Sequence, residues 1–538
     1  MAAADNKTYI GLSFGTSNSV IAIINKENRA EVIANEDGEH KTPSYIAFSG
    51  EEEYHGSQAK HQFVRNAQNT ILGFRDLLGK AYSNELAAAA GAEGAKVVDQ
   101  DGTPVFEVTT VSEEGEETTL RLSAHDATVR YLVRLHTTAE EYLGRKIDGA
   151  VLAVPVWFTA EQKTSVRAAC AAADLPVLQL IAEPAAAALM YDLGADASHD
   201  DAKDALALVV DVGGAGADVS LVGVRGGLFT VIGTQHTAEV SGDSLDGVLV
   251  KHFAGEFKKQ TGIDVLDGKH ARSVRKLTEA AEITKRTLSA ATTAPCAVES
   301  LADGMDFNGT INRTRFDILA GRAYNPLLDA VRDVIANGGY TPAQVSQVVF
   351  CGGAARIRKL QSKVALLFPE STEIRDEVGE LDEVIAAGCA EQAALIAQGA
   401  IEVDAQDAAV PVLAKPIGLQ LSAEELVAVL QKDTPLPASR TVKVALPAGE
   451  KRAYLAVAEG EPVAPKDEED EEDEEAEEKK QPLYRPSKLL AEMVLELDAA
   501  DADTRVEVKF FVGTDRKLTI VATEPKSGKS IQAEVPQN

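Results

Sequence analysis

The sequence predicts an α/β protein of two lobes, followed by a smaller all-β, sandwich-like module. A glycine-rich turn between two apolar runs occurs twice, at residues 9–24 and at residues 206–224. Apolar strand-like runs alternate with helical patterns, which is typical of the α/β class over about the first 400 residues. Short β-prone runs separated by turn residues follow beyond residue 417 and indicate the all-β module.

The two glycine-rich turns share one strand–turn–strand pattern, which indicates a duplicated architecture. Residues 15–18 (GTSN) and 213–215 (GGA) combine glycines with N–H and hydroxyl donors, groups that suit phosphate oxygens. Either turn alone is also compatible with an ordinary hairpin. Because two such turns occur, we expect two lobes that face each other across a cleft.

Local signals predict the elements around these turns. Residues 150–156 are an apolar run typical of a buried strand, and Thr159 with Gln162 has capping-box spacing for a helix to about Ala173. A second short strand ends at Glu183, before an alanine-rich helix. The β-prone runs of the C-terminal module are residues 426–430, 441–446, 453–458, 493–497, 506–512 and 518–522.

The domain boundaries follow from a change in composition near residue 404. We expect an α/β domain over residues 1–403, an extended linker with two prolines over 404–416, and an all-β domain over 417–538. Nine consecutive acidic residues at 467–475 predict a disordered acidic insertion over 466–480. This insertion is either a solvated spacer or a segment that docks onto a basic surface.

The overall composition excludes several classes of protein. Lys and Arg number 53 against 84 Asp and Glu, and the net charge of −31 should repel nucleic-acid phosphates and anionic membranes. The four cysteines have no CxxC spacing, which argues against a disulfide framework or a zinc ribbon. No signal-peptide pattern and no apolar run of about 18 residues is found, so we expect a cytosolic protein without a membrane span.

One helical stretch carries four polar side chains at spacings of i, i+3, i+4 and i+7, which place them on one face: Glu282, Lys285, Arg286 and Ser289. A carboxylate and a hydroxyl could hold ribose or base edges while a guanidinium stacks on the base. A salt-bridged surface helix is the alternative. Residues 240–244 form a third small-residue turn. Residues 352–356 follow an apolar run and should open a helix near a phosphate or base.

Seven short motifs, spread over residues 8–400, together resemble the seventy-kilodalton heat-shock chaperone family, within the actin-like ATPase superfamily. They are residues 10–16 (IGLSFGT), 153–155 (AVP), 183–187 (EPAAA), 211–214 (DVGG), 285–288 (KRTL), 351–353 (CGG) and 381–383 (LDE). The resemblance continues more faintly through the β module. It implies a two-lobed actin-like ATPase domain with ATP in the cleft, followed by a substrate-binding-like β domain.

The resemblance also implies which residues hold the nucleotide. The phosphates would lie between two groups, one of Thr16, Ser17 and Asn18 and the other of Gly213, Gly214, Ala215, Gly242 and Asp243. The adenosine would lie between Glu282, Lys285, Arg286 and Ser289 on one face and Gly353, Ala354, Arg356 and Asp382 on the other. Asp211 would face a hydrated magnesium ion, if one accompanies the ATP.

The chain departs from the family pattern at the groups that hydrolyse ATP. Ser13 replaces a metal-facing aspartate, Arg75 replaces a lysine that positions the attacking water, and Gly216 replaces a threonine near the γ-phosphate. Three acids of the family pattern remain, Glu183, Asp211 and Asp218, of which Glu183 and Asp218 are the candidates for residual catalysis. Each missing positioned group typically costs about two to three orders of magnitude in rate. We therefore predict a protein that binds ATP, with Arg75 still in the site, and hydrolyses it very slowly or not at all.

The C-terminal region departs as well, because β-prone segments run close to Asn538, and we expect no helical lid of the family's kind. The linker also lacks the family's leucine-rich run bounded by acids. These traits resemble an atypical family member of the fungal ribosome-associated complex. That resemblance implies a stable pairing with the J-domain protein zuotin and ribosome attachment through this partner. It also implies assistance to a conventional chaperone of the family that folds nascent polypeptides.

Two alternatives from other classes stay open. An ATP-hydrolysing chaperone that binds unfolded peptides would use Arg75 and Ser13 as substitutes for the family's usual groups. A sugar or metabolite kinase on the same actin-like scaffold would need a catalytic base and a sugar pocket, and we find no residues for either. The kinase alternative also leaves the β module unexplained.

Overall fold

The computed structural model describes residues 7–111, 116–193, 204–225, 228–375, 380–399, 411–447, 449–463, 484–497 and 504–536. The chain divides into two compact units. The first comprises residues 1–193, 205–222 and 233–406, and the second comprises residues 194–204, 223–232 and 407–538. No helix in the described part of the chain is long and apolar enough to cross a membrane.

The first lobe of the α/β unit is built on a mixed sheet. Its strands are β1 (Tyr9–Phe14), β2 (Asn18–Ile24), β3 (Ala30–Val32), β4 (Thr42–Pro43), β5 (Ile46–Ser49), β6 (Glu52–His55), β7 (Thr70–Ile71), β8 (Lys96–Gln100), β9 (Thr103–Val111), β10 (Glu117–Ser123), β11 (Gly149–Val154) and β12 (Val177–Ala182). Its helices are α1 (Gly56–Asn66), α2 (Asn84–Ala90), α3 (Ala124–Leu143), α4 (Ala160–Ala172) and α5 (Glu183–Met190). The main sheet has the order β12-β11-β1-β2-β3, with β1 antiparallel to β2 and parallel to β11.

The second lobe repeats this arrangement. Its strands are β13 (Ala205–Val212), β14 (Ala217–Arg225), β15 (Leu228–Thr237), β16 (Thr293–Ala302), β17 (Met305–Asn312), β18 (Gln347–Cys351) and β19 (Glu373–Arg375). The helices that accompany them are α6 (Gly242–Thr261), α7 (Ala271–Ala290), α8 (Arg313–Leu319), α9 (Asn325–Asn337), α10 (Arg358–Ala365) and α11 (Val384–Ala397). The sheet order β15-β14-β13-β18-β19 matches that of the first lobe, with β13, β18 and β19 parallel. The predicted duplication and the α/β class are confirmed.

Two local predictions in the first lobe are also confirmed. The Thr159 hydroxyl accepts the N–H of Gln162, and the Gln162 side chain accepts the N–H of Thr159, so a capping box begins helix α4. Strand β11, over residues predicted to be buried, is buried along its whole length. Both features depend on residues close in the chain, which is why local patterns were sufficient.

Helix α11 packs directly on the backbone of the first lobe because two glycines allow a close approach. A Cβ on Gly11 of β1 would lie 2.2 Å from the backbone nitrogen of Ala390. A Cβ on Gly388 of α11 would lie 1.9 Å from the carbonyl oxygen of Ala186 in α5. A larger residue at Gly11 would push α11 off strand β1, which leads into the first glycine-rich turn, and a larger residue at Gly388 would push α11 off α5.

The second unit is a β-sandwich. Its strands are β20 (Ile417–Gln420), β21 (Leu426–Leu430), β22 (Ala438–Ala445), β23 (Arg452–Pro462), β24 (Tyr484–Glu496), β25 (Arg505–Val512), β26 (Leu518–Thr523) and β27 (Ser530–Val535). They form two four-stranded sheets, β21-β20-β23-β24 and β22-β25-β26-β27. Alternate residues of β25 and β26 are buried in the shared core, as period-two patterning requires. The six predicted β-prone runs fall in these strands to within one residue, whereas β20 and β27 were not predicted.

The predicted linker is only partly described, because residues 404–410 lie outside the described residues. Residues 411–413 are part of the sandwich unit and not an extended connection. The N–H of Leu413 donates to the oxygen of Thr434 at 2.9 Å, the N–H of Leu436 donates to the oxygen of Pro411 at 2.8 Å, and the Leu413 side chain is buried. Leu413 lies between two prolines, which predicted an extended linker, but its side chain belongs to the core of the sandwich. The predicted acidic insertion at 466–480 lies outside the described residues.

Candidate functional site

The two glycine-rich turns meet inside the α/β unit. A Cβ on Gly214 would lie 2.3 Å from the Ser17 hydroxyl oxygen, so the turns of the two lobes are in direct contact. Four backbone N–H groups of these turns have no acceptor in the described part of the chain, those of Thr16, Ser17, Gly214 and Ala215. Consecutive unpaired N–H groups in a turn form a concave site that attracts an anion. The two turns therefore offer matched donors to a phosphate chain.

Helix α6 begins at the second turn and supports it. The N–H of Gly242 donates to the oxygen of Gly213, and the N–H of Asp243 donates to the oxygen of Gly214, both at 2.9 Å. The Ser241 hydroxyl caps the helix by accepting the N–H of Ser244. The positive end of the helix dipole thus adjoins the second turn and adds to its attraction for an anion.

Helix α7 presents the four residues that the i, i+3, i+4, i+7 pattern predicted. Buried Lys285 donates to the oxygen of Gly242 at 2.7 Å and to the carboxylate of Asp246 at 2.6 Å. Glu282 accepts from Lys60 of α1 at 2.7 Å. Arg286 is exposed and Ser289 is half-buried. Two of the four side chains therefore connect α7 to neighbouring elements, and the other two remain accessible to a ligand.

A second cluster of charges adjoins residues 353–356, the other predicted adenosine face. Asp382 pairs with both Lys41 and Arg356, and Arg356 also pairs with Glu380. Burial alone would raise the pKa of Asp382, but the charges of Lys41 and Arg356 outweigh it and lower that pKa. A Cβ on Gly353 would lie 3.9 Å from Asp382. Sequence reasoning missed Lys41 and Lys60, because their carboxylate partners lie 341 and 222 residues away in the chain.

Arg75 is held in the site through two of its three guanidinium nitrogens. Its Nε donates to Asp76 at 2.7 Å, and its Nη1 donates to the oxygen of Phe14 at 3.1 Å and to Glu183 at 3.4 Å. Only 10% of the side chain is exposed. Asp76 also accepts the Thr16 hydroxyl at 2.9 Å, which ties Arg75 to the first turn. These bonds restrict how far the guanidinium can reorient toward a water molecule.

The three acids expected to remain from the catalytic machinery form one cluster around Arg75. Burial raises the pKa of Glu183, the positive charge of Arg75 lowers it only in part, and the charges of Asp211 and Asp218 raise it further. Burial and the charge of Asp218 likewise raise the pKa of Asp211. One guanidinium thus faces more carboxylates than it can neutralise, and this part of the site favours a further proton or cation.

The residues present do not form a direct metal site. No group of three or more His, Cys, Asp or Glu side chains is arranged to hold a metal ion in the described residues. Ser13, on β1 opposite Ala153 of β11, supplies a hydroxyl in place of a carboxylate. A hydrated magnesium ion that Asp211 contacts through water stays a prediction.

Two aromatic residues near Asp218 were not predicted. The Asp218 carboxylate oxygen Oδ1 accepts Trp157 Nε1 at 3.0 Å and contacts His236 Nδ1 at 3.0 Å. The Trp157 and His236 ring centroids are 5.0 Å apart. Trp157 follows the AVP motif by two residues, which could have marked it as a candidate, whereas no motif marks His236 at the end of β15.

The sequence comparisons agree with this geometry. The family model described as Hsp70 protein matches residues 9–470. A heat shock protein 70 homolog of Schizosaccharomyces pombe is 40% identical, covering 97% of this chain and 94% of the relative. The ribosome-associated complex subunit SSZ1 of Saccharomyces cerevisiae is 36% identical over 98% of this chain and 99% of its own length. A ribosome-associated molecular chaperone of the same yeast is 32% identical over 95% of this chain and 81% of its own length.

Proteins of the matched family are chaperones and ATPases that bind ATP, generally together with Mg²⁺. The match spans most of the α/β unit and extends into the sandwich unit, and two of the relatives are covered almost completely. The chain belongs to the Hsp70 family.

Proposed function

We propose that this chain is an ATP-binding, hydrolysis-deficient chaperone subunit of a ribosome-associated complex. The observation that carries the proposal is the contrast inside one site. The phosphate turns keep their open N–H donors, whereas Arg75, which occupies the place of a water-positioning lysine, has its Nε and Nη1 bound to Asp76, Phe14 and Glu183.

Nucleotide binding is supported by groups on both sides of the contact between the turns. Thr16, Ser17 and Asn18 would line the phosphates opposite Gly213, Gly214 and Ala215, and Gly242 and Asp243 would continue that second side. Arg286 and Ser289 would contact the adenosine directly, with Glu282 and Lys285 fixing helix α7. Gly353, Ala354, Arg356 and Asp382 would form the other adenosine face, where a tight ion-pair cluster keeps the backbone in place.

Slow or absent hydrolysis is supported by the residues at positions 13, 75 and 216. An attacking water must be oriented, and the charge that develops on the phosphates must be neutralised. Ser13 offers no carboxylate, Gly216 offers no hydroxyl, and a rigid guanidinium is not equivalent to a mobile ammonium. A hydrated Mg²⁺ held through Asp211 would neutralise phosphate charge. We assign no catalytic residue, and Glu183 and Asp218 are the candidates for any residual hydrolysis.

The printed names of two relatives support the proposed ribosomal role. SSZ1 is named as a subunit of a ribosome-associated complex, and the third relative as a ribosome-associated molecular chaperone. We propose a stable heterodimer with a J-domain protein of the zuotin type, located on cytoplasmic ribosomes and assisting a conventional chaperone with nascent polypeptides. The net charge of −31 supports attachment through the partner, because direct contact with ribosomal RNA would be repulsive.

The test is to purify the full chain, extract its bound nucleotide, and follow one turnover of added ATP with and without a J-domain protein. We expect ATP to be recovered intact and phosphate release to stay at the buffer rate in both conditions. A conventional Hsp70 measured in parallel is the positive control. A chemical step as fast as that control would contradict the proposal and favour a hydrolysing chaperone, the candidate that the retained acids Glu183, Asp211 and Asp218 support.

A further inference from the structure

Most cations near the phosphate turns are already paired with carboxylates. This holds for Lys41, Lys60, Arg75, Lys285 and Arg356. His236 differs, because only its Nδ1 is engaged, by Asp218, while its Nε2 has no partner among the described residues. The side chain is 39% exposed. An imidazole in this state has one nitrogen left for a ligand.

The ring of His236 lies directly over the second phosphate turn. A Cβ on Gly216 would lie 2.9 Å from His236 Cε1 and 3.5 Å from Nε2. Trp157 packs beside the ring and donates to the same oxygen of Asp218, so the imidazole is oriented by two neighbours. Gly214, in contrast, adjoins the start of helix α6 and the adenosine side. His236 therefore stands at the end of the turn that faces Arg75 and the acidic cluster.

The charges around the ring favour its protonated form. The hydrogen bond to Asp218 raises the pKa of His236, burial opposes this, and the charge of Asp76 adds to the rise while that of Arg75 reduces it. Glu183 and Asp211 are the other titratable groups of this cluster. When both nitrogens carry protons, Nδ1 donates to Asp218 and Nε2 becomes a second, positively charged donor.

We propose that His236, oriented by Asp218 and Trp157, binds the terminal phosphate of a nucleoside triphosphate through Nε2 in a protonation-dependent manner. This inference rests on the proposed nucleotide binding and deepens it. The imidazolium supplies both the donor that Gly216 lacks and part of the positive charge that the site is short of. The protein consequently distinguishes a triphosphate from a diphosphate by a group that opens no route to hydrolysis.

The test compares ATP and ADP affinities of the full chain with those of the His236→Gln variant between pH 6 and pH 8, by equilibrium dialysis. At pH 6 we expect the ATP-over-ADP preference to fall about tenfold in the variant, the value of one charge-assisted hydrogen bond. The difference between the two proteins should shrink toward pH 8 as the imidazole loses its proton. The ATP phosphate, Glu183 and Asp211 also titrate, but they do so in both proteins. His252→Gln is the matched control, since His252 on helix α6 likewise pairs with a carboxylate, that of Glu256 at 3.4 Å.

A second measurement needs no ligand and reports whether the variant is folded. Trp157 is the single tryptophan of the chain, and protonated imidazole quenches indole emission. In the wild type, Trp157 emission should rise with pH, with a midpoint above the pKa of free histidine. ATP should move this midpoint upward, and ADP should move it less. His236→Gln should lack the transition while keeping native emission.

Three results would overturn the inference: an unchanged ATP-over-ADP preference in His236→Gln, an equal loss in His252→Gln, or a Trp157 midpoint that ATP does not move. In each of these cases nucleotide binding itself would stand. If the wild type binds neither nucleotide at any pH, the proposed function fails together with the inference.

Discussion

The two glycine-rich turns of this protein have the same topology but different support. In the first, Ser44 donates from its N–H to the oxygen of Ser17 at 3.0 Å and from its hydroxyl to the oxygen of Gly15 at 2.7 Å, and Thr16 is held by Asp76. In the second, helix α6 binds the turn through main-chain N–H groups, and no hydroxyl is present on residues 213–216.

The duplicated turns share their backbone geometry but not the side chains around them. Backbone geometry and open N–H donors are common to both turns, since they depend on small residues between two paired strands. The side chains that surround the turns have diverged, with Arg75 beside the first and His236 beside the second. This divergence supports our proposal that anion binding persists in both turns while hydrolysis is lost.

The largest effect is expected from removing the cation beside the first turn. Arg75→Met leaves Asp76 and Glu183 without their partner, and breaking a buried ion pair from one side typically costs about 3–5 kcal/mol of the free energy of unfolding. Urea unfolding followed by Trp157 emission measures the loss in the α/β unit. Arg75→Lys, which keeps the charge, is the control and should lose clearly less. Equal stability of Arg75→Met and the wild type would show that the guanidinium does not support the first turn.

A smaller effect is expected where the two turns touch. In Gly214→Ala the new Cβ would lie 2.3 Å from the Ser17 hydroxyl oxygen and 2.7 Å from its Cβ. Overpacking of this kind typically costs about 1–3 kcal/mol, so we expect ATP affinity to fall roughly 10- to 100-fold.

Equilibrium dialysis with ATP checks this expectation, and Ser17→Gly in the same chain removes the collision and should restore most of the affinity. If the double variant binds no better than Gly214→Ala, the contact between the turns is not what limits binding.

The smallest effect is expected at the far end of the second turn. Gly216→Thr would give this turn a hydroxyl comparable with that of Thr16, but its Cβ would lie 2.9 Å from the His236 ring. Because the ring can shift, we expect a loss of about 1 kcal/mol in the free energy of unfolding.

His236→Gly in addition should recover that loss, and a double-mutant cycle read from urea midpoints measures the coupling. Additive effects of the two substitutions would show that the His236 ring is not what disfavours a larger side chain at position 216. The cycle thereby separates steric exclusion from the phosphate-binding role that we propose for the imidazole.

Much of the fold could be predicted because its signals are local. The capping box of Thr159 and Gln162 joins residues three apart, and the alternation in β25 repeats every second residue. Strand β27 was missed because its alternate residues are polar and exposed at a sheet edge, and the apolar Leu413 was assigned to a linker because two prolines flank it. In both cases the burial of the residues depends on strands that are distant in the chain, so no local pattern reveals it.

The same distinction between local and long-range signals applies to the candidate site. The sequence by itself determined the two glycine turns and the polar face of helix α7, since these depend on residue type and spacing, and its family resemblance indicated the replacements at Ser13 and Gly216. Only the tertiary structure decided the partners of those groups. Lys60 meets Glu282 from 222 residues away, and Trp157 meets Asp218 from 61 residues away. The strength of a charge depends on its burial and neighbours, and those are set by how the chain folds back on itself.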